Sequence, residues 1–202
     1  MLALETIVKD ICDRKKDILS DADLPESIAV YLFLKNKYAK DGATDKVFQF
    51  VFRSYYGLDR AGLSPEQKTE YFRLLANKKV DLETILSELY ELPRLTKKNK
   101  NAIQFSFATK LLHTIDNTRP IFDTQVAKVI HKSVTGNGKK EKTESAKELY
   151  NCLRNLYLKL MADKKIQVII KEFRENSTSQ KITDSKVLDF VIWTLGKLKK
   201  IR

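Results

Sequence analysis

Apolar residues recur at three- and four-residue steps along most of the chain, the period of helices that bury one face. The first run covers residues 4–19, with Leu4, Ile7, Val8, Ile11 and Cys12 on one stripe. Residues 20–25 read as a turn. A second helix follows, carrying Ile28, Tyr31, Leu32 and Leu34, and Gly42 breaks it. The next helix, with Thr44 as its cap, carries Phe48, Val51, Phe52, Tyr55 and Tyr56 and ends at Gly57. Ser64 before Pro65, with Gln67 three residues on, predicts a capping box. Asp81 caps a short helix that Pro93 ends.

The centre of the chain is residues 104–133, QFSFATKLLHTIDNTRPIFDTQVAKVIHKS. Phe105, Ala108, Leu111, Leu112 and Ile115 give one helical stripe, and Val126, Val129, Ile130 and Val134 give another. Between them DNTRPIF forms a polar turn with its direction set by Pro120. Asp123 falls where an N-cap belongs, its carboxylate near the free amides of Thr124, Gln125 and Val126. Beyond it, residues 134–145 read as a Gly- and Lys-rich loop, followed by helices over 144–161 and 164–173. Asp184 caps a last helix that packs Val187, Phe190, Val191 and Leu195. The pattern contains no strand, heptad run or internal repeat. The expected fold is all-α, a single domain over residues 1–202.

Charge narrows the choice of partner. Thirty-eight Lys and Arg against 26 Asp and Glu leave a net charge of +12. Such a balance favours a polyanion, because each phosphate contact releases condensed counterions. Basic side chains that suit this role are Lys97, Lys98 and Lys100 in the connector before the central helices, Arg119 in the turn, and Lys139 and Lys140 in the later loop. Cys12 and Cys152 form no CxxC pair and read as free thiols, and two His without ligand spacing predict no metal site. The charged start does not read as a signal peptide, and no apolar run reaches membrane-spanning length. A soluble, cytoplasmic monomer is expected.

Motifs remove several enzyme classes. GxxxxGK[ST] and GxGxxG are absent, so nucleotide and dinucleotide phosphates lack their usual cradle. GxSxG, HExxH and the zinc-deaminase signature are absent as well.

What remains carries a resemblance. Residues 105–130, and above all Phe122-Asp123-Thr124-Gln125-Val126, resemble the helix-hairpin-helix superfamily of DNA glycosylases. SFATKLLHTID and RPIFDTQV are closer still to bacterial proteins with an 8-oxoguanine glycosylase-like fold, some of them associated with phage defence. FRSYYGLDRAGLSPEQKTEYF and LDFVIWTLGK extend the likeness.

The resemblance implies a two-lobed helical bundle with residues 97–135 as its hairpin and catalytic segment. It also implies duplex DNA with a flipped base as partner, no metal and no organic cofactor. Asp123 would be the carboxylate that stabilises positive charge on the sugar and directs the attacking water. Two departures stand out. KKNKNA lacks the hairpin glycines, which leaves phosphate gripping to side chains or to free amides at 101–103.

The second departure concerns the lyase lysine of bifunctional members, whose place is taken here by Phe105. Lys110 lies five residues on, roughly 140° around a helix and about 7.5 Å along it. Lys110 therefore reads as a solvated helix charge or a phosphate contact, and the expected enzyme is monofunctional. Phe105, Lys110, His113, Tyr55 and Tyr56 are the candidates for lining the site. His113 has a surface position as its simpler reading, and Trp193 a core position. Retention of the fold as a non-catalytic DNA- or RNA-binding module, or as a partner-binding helical subunit, is the alternative.

Overall fold

The computed structural model describes residues 4–78, 81–93, 102–175 and 182–199. The basic connector with Lys97, Lys98 and Lys100 lies outside the described residues. Within them the chain is wholly helical: α1 (Leu4–Asp13), α2 (Lys15–Leu19), α3 (Leu24–Asp41), α4 (Lys46–Tyr56), α5 (Pro65–Ala76), α6 (Leu82–Glu91), α7 (Phe105–Ile115), α8 (Thr124–Ile130), α9 (Gly138–Ala162), α10 (Lys164–Glu175) and α11 (Asp184–Leu198).

Most boundaries follow local chemistry. The Ser64 hydroxyl accepts from the Gln67 amide at 3.1 Å, and the Gln67 side chain accepts from the Ser64 amide at 3.2 Å, closing the capping box. The Gln67 amide group also donates to the carbonyls of Leu89 and Leu92, tying α5 to the end of α6. Four expected boundaries move. The 4–19 run divides at Arg14 into α1 and α2. Helix α3 begins at Leu24, because Pro25 has no amide to lose in a first turn. Asp45, not Thr44, caps α4, its carboxylate accepting from the Phe48 amide at 2.8 Å. Thr183, not Asp184, caps α11, which frees Asp184 to pair with Arg174 at 2.6 Å.

The largest difference is at α9. The expected loop over 134–145 is helical from Gly138 onward. The Glu141 carboxylate accepts from the Asn137 amide at 2.7 Å and so satisfies a donor just ahead of the helix. Thr143 and Ala146 are already buried in the early turns, and tertiary contact therefore extends the helix through a lysine-rich segment.

Two packing features set up the site. Phe48, Phe52, Tyr71 and Phe72 form an aromatic cluster between α4 and α5, with ring centroids 5.4–6.3 Å apart. Helix α11 runs through the middle, buried from Ser185 to Ile192 and again from Thr194 to Gly196. A helix buried on every side, its charged positions included, is an interior helix. Helix α8 lies directly against it, with Gly196 packed on the backbone of Gln125.

Candidate active site

A cavity of about 450 Å³ opens where α4, α7, the start of α8 and α11 converge. Asp123 and Lys110 line it, together with Lys186 and Asp189 from α11 and the rings of Tyr55, Tyr56 and Trp193.

Asp123 is held by both sequence-local and tertiary contacts. Its Oδ1 accepts from the amides of Gln125 and Val126 at 2.9 and 3.0 Å, so the residue is the expected N-cap. Oδ2 takes no hydrogen bond from the described residues, and Asp123 lines the cavity. One step earlier, the Phe122 amide donates to the Thr109 hydroxyl at 3.0 Å, which ties the approach to α8 onto α7. The hairpin turn is fastened to α11 as well: the Thr183 hydroxyl donates to the Asn117 carbonyl at 3.0 Å and Ser185 to that of Thr118 at 2.8 Å. Burial pushes the Asp123 carboxyl above the usual range, against the opposing pull of Lys110 and the two amides.

Lys110 is not the solvated charge its position predicts. It is only 7% exposed. Its Nζ donates to the Ser106 hydroxyl at 2.6 Å and stands 4.9 Å from the centroid of the Phe107 ring. Burial lowers the ammonium to about 8, with Lys186 acting in the same direction and Asp123 and Asp189 opposing. Phe105 itself faces the core, tilted against Phe122 with ring centroids 4.8 Å apart and edge-on to Tyr150, and it does not line this cavity. The face of α7 that meets the cavity is the one with Ser106 and Lys110.

His113 is neither on the surface nor at the cavity. It is buried, its Nδ1 donating to the Arg119 carbonyl at 2.7 Å and its Nε2 lying 3.3 Å from the Tyr31 hydroxyl. Burial depresses its pKa to about 3, and the ring is neutral. Arg119 forms an ion pair with Asp116 at 3.2 Å. Lys139 and Lys140 belong to the first turn of α9 rather than to a loop, and Lys139 bonds Ser87 and Glu91 of α6. Lys139 therefore serves a helix–helix contact.

Tyr55 and Tyr56 do line the cavity. The Tyr55 hydroxyl donates to the Ser27 carbonyl at 3.2 Å, and the two rings meet edge to face at 4.8 Å. Trp193, expected in the core, lines the cavity too, with Lys197 Nζ 5.2 Å from its ring centroid.

Lys186 and Asp189 were missed in the sequence. As a Lys and an Asp three residues apart they read as an ordinary solvated pair. No signal in the helical pattern marks them, because they fall on the one face of that helix that Val187, Leu188, Phe190, Val191 and Ile192 leave open. Among the described residues no group of three or more His, Cys, Asp or Glu side chains is placed to hold a metal ion. No described helix is long and apolar enough to cross a membrane. Comparison with protein-family models, curated proteins and solved structures gives no match.

Proposed function

We propose that this protein is a DNA glycosylase that takes a flipped, damaged or modified base into the cavity and hydrolyses its N-glycosidic bond. The observation that carries the reading is the half-buried Asp123 carboxylate, with one oxygen fixed by α8 amides at the wall of a cavity that Tyr55, Tyr56 and Trp193 also line. As the base departs, positive charge grows on the sugar. An anion held in a water-poor site lowers the energy of that charge without having to reorganise. Tyr55, Tyr56 and Trp193 offer ring faces on which an unstacked base can rest. The exposed Arg60 at the cavity offers a phosphate contact, as does the net charge of +12 more generally.

The test is incubation with duplexes carrying canonical, oxidised, alkylated or phage-type modified bases, scoring abasic sites. Excision of one class that is lost in Asp123→Asn supports the reading. Duplex binding with no excision of any base favours the non-catalytic DNA-binding module. No duplex binding at low salt removes both.

A second reading is favoured by the burial of Lys110. A lysine lowered to about 8 has an appreciable neutral fraction near physiological pH. Its lone pair would attack the sugar C1′ as the base leaves with the bonding electrons. Loss of the amine proton and ring opening would then give an imine. Borohydride trapping of a protein–DNA adduct, absent in Lys110→Ala, would replace the monofunctional mechanism with this one.

A further inference from the structure

Four of the six charged residues on the cavity wall, Lys110, Asp123, Lys186 and Asp189, are arranged unequally. Lys186 and Asp189 form a closed pair. Their atoms lie 2.7 Å apart, and their side chains are 3% and 7% exposed. Lys186 Nζ also stands over the rings of Phe190 and Tyr31, at 4.5 and 4.8 Å from their centroids. The other oxygen of Asp189 faces the Tyr157 hydroxyl at 3.4 Å. Lys110 and Asp123, by contrast, form an open pair. Lys110 bonds the Ser106 hydroxyl, Asp123 bonds backbone amides, and they make no direct ion pair.

A buried ion pair contributes little stability relative to apolar residues of the same size. Folding therefore does not account for Lys186–Asp189 on the wall of a cavity. The groups that share the cavity with Lys110 are Tyr55, Tyr56 and Arg60 from α4 and the segment after it, Asp21 from ahead of α3, Asp123, and the α11 pair. Were Asp189 unpaired, it would be a second anion drawing a proton onto Lys110. We infer that Lys186 is a positioning residue: by engaging Asp189 it leaves Asp123 as the principal anion acting on Lys110, and so sets how readily Lys110 gives up its proton. The inference deepens the reading of Lys110 as a cavity amine and uses no DNA in its test.

The experiment is reductive alkylation of the full chain with propanal and cyanoborohydride across pH, with Lys110 labelling read by peptide mass spectrometry. The neutral amine adds to the carbonyl carbon, water leaves as the imine forms, and hydride from cyanoborohydride gives a secondary amine. Lys186→Gln keeps a donor to Asp189 and removes the cation. It should move the labelling midpoint of Lys110 to higher pH and reduce labelling near pH 7 about three- to tenfold, the effect of roughly half to one pH unit. Asp189→Asn should move the midpoint the other way, because Lys186 is then unopposed. Lys186→Arg should retain the native midpoint.

Opposite shifts are what a merely structural pair would not produce. Equal shifts in both variants, or none in either, overturn the inference. Each single variant has its own predicted direction, so one that fails to fold leaves the other decisive. The outcome is also separate from base excision: labelling that behaves as expected in a protein that excises nothing keeps this inference and removes the glycosylase.

Discussion

Gly196 of α11 faces the backbone of Gln125 so closely that a Cβ on it would sit 2.4 Å from the Gln125 carbonyl oxygen and 2.7 Å from its carbonyl carbon. Gln125 is the second residue of α8, and its amide is one of the two that hold Asp123. The absence of a side chain at position 196 therefore allows the helix bearing the cap to lie flat on the helix bearing Lys186 and Asp189. Gly196→Ala should push α8 away, since the clashing atoms are backbone and have no rotamer to change. A loss of about 1–3 kcal/mol is expected from overpacking of this kind, read as a lower denaturant midpoint. Any excision activity should fall more than stability does, because Asp123 moves with α8.

Asp123→Asn separates charge from capping. Asparagine is as good a cap as aspartate, so the helix start is kept. The carboxyl is raised in the fold by burial, which means the native state binds more protons than the unfolded chain between pH 3.8 and the raised value. Stability from this group is thus lost as pH rises through that window. Asp123→Asn should equal or exceed the native protein in thermal stability at pH 7, with the difference shrinking below pH 3.8. A variant less stable at pH 7 than at pH 3.5, relative to the native chain, would contradict a carboxyl raised by the fold.

Lys110 carries the opposite linkage. Its folded value of about 8 lies below the 10.5 of a free lysine, so the native state binds fewer protons in the interval between. The group's burden on stability is full below pH 8 and disappears by pH 10.5. At roughly 1.4 kcal/mol per pH unit the burden is on the order of 3 kcal/mol, reduced in Lys110→Met by loss of the Ser106 bond and of attraction to Asp123. Melting curves should show Lys110→Met gaining over the native protein at pH 7 and losing that advantage toward pH 10.5. No dependence on pH would mean that Lys110 is solvated.

His113 should dominate the acid limb. Its value of about 3 in the fold, against 6.5 unfolded, means that stability present above pH 6.5 is lost as pH falls toward 3. The full loss is about 5 kcal/mol. His113→Gln, which preserves one polar contact, should flatten the stability profile over this interval while lowering stability at pH 7 through the partner left unmatched at Tyr31 or Arg119. A ring that titrates near 6.5 by NMR would refute its burial.

Local information in the sequence determined the helical class, most helix limits and the cap at Asp123. These depend on periodicity, on capping side chains and on Pro and Gly, all of which act within a few residues. It also singled out Tyr55 and Tyr56 as candidate pocket rings, and both line the cavity. Tertiary structure alone decided which faces of α7 and α11 meet the cavity. Phe105 and Lys110 share one helix, yet Phe122 and Tyr150 draw Phe105 into the core, and the face of Ser106 and Lys110 is left to the cavity. Lys186 and Asp189 look solvated by composition and are buried because α11 is surrounded. The reason is physical: helical period fixes angles within one helix, whereas the identity of the buried face depends on contacts between residues far apart in the chain. Asp123 was legible because its cap is local. Its neighbours Lys110, Lys186 and Asp189 reach it only through the packing of α7 and α11 around the start of α8.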